Sequence, residues 1–99
     1  MNYVNISGLE VMDILKSKMH PILKYSLIDM GMIRDIIVEG KEVSLTIVWP
    51  TADFPNKDEI HQSILNSIEN LGAKVSIGEI LMSKEELTLY RKIEAGDIS

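Results

Sequence analysis

Two histidines, a scatter of carboxylates and no cysteine set the range of chemistry open to this 99-residue chain. Without a thiol, disulfides, thiolate ligation of zinc or iron–sulfur clusters, and cysteine nucleophiles are excluded within it. His61, with Asp58 three residues before it and Glu59 nearby, has the residue types of a metal site, yet three polar side chains on an amphipathic helix ordinarily form a solvated face. His20 precedes Pro21 at what reads as a helix end, where an imidazole interacts well with exposed carbonyls, so capping is the simpler role. Asp29 and Gly31 read as a turn, the carboxylate accepting backbone N–H groups and the glycine supplying a positive φ. Acid–base catalysis by His20, Asp29 and Asp53 would need all three in one pocket, which their spacing does not demand.

A second group of candidates lies between two prolines, in Pro50-Thr51-Ala52-Asp53-Phe54-Pro55. Thr51 and Asp53 have two readings: caps for the next helix, or polar lining of a small pocket that recognises a partner's polar group. Trp49 falls on the core side of its strand by alternation, whereas Phe54, on the loop, is expected to be exposed as an interface anchor. Met30 and Met32 flank Gly31 and suit either a core or an adaptable surface, with core the simpler assignment.

These residues are positioned by elements that can be read from period and punctuation. Ser7 with Glu10 three residues on makes a capping box, and Leu9, Met12, Leu15 and Met19 with Val11 and Ile14 predict a helix over residues 8–19, ended by Pro21. Residues 22–30 read as a turn or short helix. Ile33, Ile36, Ile37 and Val38 meet the alternating run of residues 43–49 across Glu39-Gly40-Lys41-Glu42 as a β-hairpin. In the second strand Val43, Leu45, Ile47 and Trp49 face the core, and Ser44, Thr46 and Val48 a mainly solvated side. Ile60, Ile64, Leu65, Ile68 and Leu71 predict a helix from about Asn56, closed by Gly72. Residues 74–81 read as a strand in which Gly78 marks a bulge or a close backbone approach. Ser83 and Glu86 open a last helix through Leu87, Tyr90 and Ile93, with a polar tail after it over residues 94–99.

The order α-β-β-α-β-α, with a core over about residues 8–93, predicts one α+β domain spanning 1–99: a two-layer sandwich with a small mixed or antiparallel sheet and helices on one face, its strand order open. A chain of 99 residues, 45% hydrophobic and 25% charged, has room for one core only. Its net charge of −5 is interspersed and includes no basic stripe, which argues against nucleic acid as a partner. No run approaches the roughly 20 apolar residues that cross a bilayer, and residues 1–5 lack a signal-peptide layout, so a cytoplasmic protein with no membrane partner is expected.

The run Ser26-Leu27-Ile28-Asp29-Met30-Gly31-Met32-Ile33, a hairpin, and then Thr51-Ala52-Asp53-Phe54-Pro55 opening a helix resembles the PaaD/SufT-like iron–sulfur cluster assembly domain family over roughly residues 9–93. Members of that family show an Asp-Pro-Glu, a Leu-Gly-containing segment, a hairpin, and a Thr-x-x-Cys-Pro turn. Here His20-Pro21-Ile22 falls on the Asp-Pro-Glu, and Phe54 stands where the cysteine would be. The resemblance implies a protein that has kept a docking role without the chemistry of the thiol: a non-catalytic adaptor or maturation factor that binds proteins of the iron–sulfur machinery or its clients, with no cofactor or metal of its own. It predicts an exposed patch around Phe54, Pro55 and Met30, with Asp29, Gly31, Thr51 and Asp53 beside it. Two other roles stay open: an accessory or regulatory subunit of a multicomponent enzyme, as in phenylacetate degradation, and a small acid–base enzyme. A homodimer through the hairpin's edge strand is compatible with each.

Overall fold

Strict alternation over residues 43–49 makes a strand with one apolar face, and most of the chain is arranged to cover that face. The computed structural model describes residues 6–96; residues 1–5 and 97–99, which include the end of the expected polar tail, lie outside the described residues. The elements are α1 (Gly8–Lys16), β1 (Ile33–Glu39), β2 (Glu42–Trp49), α2 (Lys57–Glu69), β3 (Lys74–Leu81) and α3 (Lys84–Glu94), in the expected order.

β2 is the central strand of a three-stranded mixed sheet of order β1-β2-β3. It pairs antiparallel with β1 through a tight turn in which Gly40 has φ 60, and parallel with β3 in unbroken register from Glu42↔Lys74 to Trp49↔Leu81. The expected bulge at Gly78 is therefore absent, and the position is not crowded either, since a Cβ there would lie 3.7 Å from Thr46 Oγ1, an ordinary contact. The irregularity sits in β1, between Arg34 and Ile37, where Asp35 takes φ 54; an aspartate tolerates this left-handed conformation better than the isoleucines around it.

Val43, Leu45, Ile47 and Trp49 are buried together with Val11 and Leu15 of α1 and Ile64 and Ile68 of α2. The two helices thus cover the predicted core face. Val48, assigned by alternation to the solvated side, is fully buried, and its N–H donates to Met32 O at 2.8 Å. α3 begins at a complete capping box, Ser83 Oγ accepting from the Glu86 N–H and the Glu86 carboxylate accepting from the Ser83 N–H. The Ser83 bonds, ahead of the Arg34 guanidinium 2.8 Å away, hold the Glu86 carboxyl below its ordinary range. At Ser7 the hydroxyl accepts from the Leu9 N–H, a simple cap without the reciprocal glutamate bond.

α1 ends at Lys16, three residues before the expected Met19. The Ser17 hydroxyl donates to Ile14 O, and from Lys18 the backbone turns to pair with residues 25–27: Leu27 N donates to Lys18 O and His20 N to Tyr25 O, both at 2.8 Å. Pro21 is thus within a tight reversal of residues 18–27, and the helix has already stopped. Among the described residues no helix is long and apolar enough to cross a membrane.

Candidate functional site

The reversal of residues 18–27 brings His20 under the loop between β2 and α2. Its ring stands edge-on to Phe54 (centroids 5.4 Å apart, planes at 86°), and Phe54 in turn packs against Trp49 at 5.6 Å. His20 Nδ1 accepts from the N–H groups of Ile22 and Leu23, each at 3.0 Å, and Nε2 lies 2.8 Å from Tyr90 Oη of α3. A nitrogen that receives two backbone N–H groups carries no proton of its own, so the neutral ring is the Nε2–H tautomer and donates to the phenol. Burial pushes the His20 pKa below its ordinary 6.5, opposed by the Glu94 carboxylate. Burial also raises the Tyr90 phenol, with Glu94 adding to the effect and Arg91 opposing it.

Above this stack lies a cleft of about 300 Å³. His20, Ile22 and Leu23 form one wall, Pro50, Thr51, Phe54 and Pro55 a second, and Tyr90, Arg91 and Glu94 of α3 the third. The walls are mainly apolar. At the mouth, Arg91 and Glu94 pair with each other at 3.4 Å.

The structure divides the candidates that the sequence singled out. His20, Ile22, Thr51, Phe54 and Pro55 meet at this cleft. Asp29, Met30 and Gly31 line a separate cavity of about 210 Å³ on another side of α3, with Ile28, Met82 and Leu89. Pro21 lines a third cleft, beside Lys18 and Ser63, and Asp53 is exposed outside the His20 cleft. The three groups of the acid–base reading therefore share no cavity.

Several expectations are corrected. Phe54 is only 8% exposed and Met30 2%, so the patch expected around Phe54, Pro55 and Met30 does not form; Phe54 folds inward because the Thr51–Phe54 turn, closed by Phe54 N donating to Thr51 O, points the ring at Trp49 and His20. His20 caps no helix, because α1 has ended before it. Neither Thr51 nor Asp53 caps α2: the cap position is Asn56, in the left-handed region at φ 61 with no side-chain bond. At Asp29 it is the backbone N–H that is engaged, donating to Ser26 Oγ at 3.0 Å, while Gly31 has the expected positive φ of 75. His61 pairs with neither Asp58 nor Glu59; its Nδ1 is 3.2 Å from Glu79, whose other oxygen accepts from Trp49 Nε1 at 2.7 Å. Sequence reasoning missed Tyr90, Arg91 and Glu94. Tyr90 carried a signal, a phenol on the apolar face of α3 that needs a partner when buried; Glu94, read as tail, is the last residue of α3.

Residues 9–78, most of the chain, match the family model described as iron-sulfur cluster assembly protein. The chain belongs to the iron-sulfur cluster assembly protein family. No curated protein matches the sequence. An iron–sulfur cluster assembly protein would meet iron or a cluster as cargo, and the residues present here can be tested against that cargo. Ligation calls for thiolates, and the chain has none. The cleft offers one imidazole with both nitrogens engaged, a phenol, and a carboxylate already paired with Arg91. Among the described residues no group of three or more His, Asp or Glu side chains is placed to hold a metal ion. The donor set of this family member does not fit iron or a cluster as a ligand site.

Proposed function

We propose that this chain is a non-catalytic, protein-binding adaptor or maturation factor within iron–sulfur cluster assembly. Family membership supports the pathway. The observation that carries the adaptor role is Phe54: at the place the family resemblance assigns to a cysteine, the side chain is an apolar ring packed between His20 and Trp49. The motif positions are thus spent on shaping an apolar cleft whose rim, Ile22 at 75% exposure, is free to meet another protein.

The test uses purified cluster carriers and client apoproteins against the wild type, an Ile22→Lys variant at the rim, and a Leu9→Lys control on α1, also exposed and not part of the cleft's lining. Binding to one or more of them that Ile22→Lys weakens at least about tenfold and Leu9→Lys leaves unchanged supports the adaptor. Equal binding by all three places the interface elsewhere, and no binding to any carrier or client removes the proposal.

A further inference from the structure

We propose that β3 is the edge through which two copies of this chain pair, antiparallel and about a two-fold axis at Ile77, so that their sheets join into one. β3 ends the strand order β1-β2-β3, and among the described residues no hydrogen bond reaches its outer edge. The ladder fixes which groups face that edge. Lys74 N donates to Lys41 O and, at the far end, Met82 N donates to Trp49 O, so the even-numbered residues turn their N–H and C=O groups to β2. Val75, Ile77, Glu79 and Leu81 turn theirs away from it, a row of open donors and acceptors of the kind that adds a strand.

The two edges of the sheet are unequal. β1, the hairpin's outer strand, is irregular between Arg34 and Ile37, holds Asp35 at φ 54 and carries Arg34, Asp35 and Glu39, features that keep another strand from pairing. β3 is eight residues in unbroken register, with no proline and with Lys74 and Glu79 as its charges. Glu79 is already engaged by Trp49 Nε1 and His61. Nothing within one chain requires the glycine at 78, where a Cβ would make only an ordinary contact; the missing side chain leaves that face of the strand open to an approaching backbone. The strand that fits this edge is apolar, β-branched, of the same length and uncharged at its centre, and β3 itself is that strand. With the axis at Ile77, Val75 exchanges bonds with Glu79 of the second copy and Ile77, half-buried against the core, with its counterpart, while Gly78 lies opposite Ser76, both small. Ile80 and Leu81, 41% and 54% exposed, come to lie along the second copy. The two Glu79 carboxylates stay about 13 Å apart along the strands; an axis at Gly78 would bring them within two residues of each other, and one at Ser76 would shorten the ladder. The His20 cleft takes no residue from β3, so the pairing stands whether or not the proposed partners bind there.

The test is sedimentation velocity on the full chain over a roughly hundredfold range of concentration, comparing the wild type with Gly78→Lys on β3 and Ile37→Lys, at an exposed residue of the opposite edge. The wild type is expected to form dimers as concentration rises and Ile37→Lys to match it. Gly78→Lys, which sets a charge against the second copy's Ser76 and close to its Lys74, should weaken association at least about tenfold. Amide exchange reads the same edge in the wild type without any substitution: protection of Val75, Ile77 and Glu79 should follow the dimer population, whereas the Ser76, Gly78 and Ile80 amides, turned to β2, stay protected throughout. A monomer at every concentration, a dimer that Gly78→Lys leaves intact or Ile37→Lys dissociates, or a dimer in which the Val75, Ile77 and Glu79 amides remain unprotected would each overturn the pairing. So would a chain that stays monomeric alone and gains protection at these amides only when a cluster carrier is added, which would assign the edge to a strand of another protein.

Discussion

Where β2, α2 and β3 meet, eight consecutive residue pairs stay in register, Ile64 and Ile68 lie on the alternating face of β2, and a chain from His61 through Glu79 to Trp49 ties the helix to both strands. Residues 18–31 carry no ladder beyond the single Met19↔Ser26 bridge, and one histidine bonds both the Ile22 N–H of its own turn and the Tyr90 phenol of α3. Both regions bury side chains, but the first is built from many repeated small contacts and the second from a few specific ones. Periodic burial resists change gradually, whereas a region held by a few specific contacts can be altered at a single point.

The largest effect expected is at the junction of the two regions. Trp49→Ala removes a fully buried ring and its bond to Glu79, and should cost about 4 kcal/mol, read as a shift of the whole denaturation curve. Phe54→Ala should cost about 3 kcal/mol, because the ring fills the space between Trp49 and His20. A loss within about 0.5 kcal/mol would mean the ring is exposed after all and would return Phe54 to the role of a surface anchor. Ser83→Ala, which removes the cap of α3, should cost about 1 kcal/mol, with exchange accelerated first in α3. Asp53→Ala, at an exposed carboxylate outside the cleft, should stay within about 0.5 kcal/mol of wild type.

The two regions also differ in their response to pH. The folded state favours neutral His20, whereas in the unfolded chain His20 titrates at its ordinary 6.5. As pH falls through 6.5 toward the lower folded value, the unfolded state takes up the proton first, so this contribution to stability is complete above that range and is lost within it. Urea titrations across the range should show it for the wild type and a flatter profile for His20→Gln. Equal slopes would mean that His20 is not the group responsible.

The same contrast explains what could be read from the sequence. The alternation from Val43 to Trp49, the apolar spacing of α2 and the capping box at Ser83 are local patterns with a repeat, and each became the element it predicted. The 18–31 segment has no repeat; its path is set by the Lys18–Leu27 and His20–Tyr25 backbone bonds, which form only when the core fixes both ends. Phe54 was misread for a related reason. A loop position says nothing about side-chain direction, and the ring points inward because His20 and Trp49, distant in sequence, offer it two faces. Tyr90 was legible as an apolar-face residue, but its bond to His20 spans seventy residues and leaves no local trace. Of the motif positions, His20, Ile22, Thr51, Phe54 and Pro55 line one cleft, whereas Asp29 and Gly31 line another, a division that spacing along the chain does not reveal.

The central claim is that the motif cleft docks proteins and does not ligate iron. It is tested most directly by anaerobic incubation of the purified chain with ferrous iron, sulfide and a cluster carrier, then size-exclusion chromatography with iron analysis of each peak. The chain alone is expected to elute free of iron and, with the carrier, to co-elute in a complex that Ile22→Lys disrupts. Stoichiometric iron on the chain in the absence of the carrier would contradict the claim.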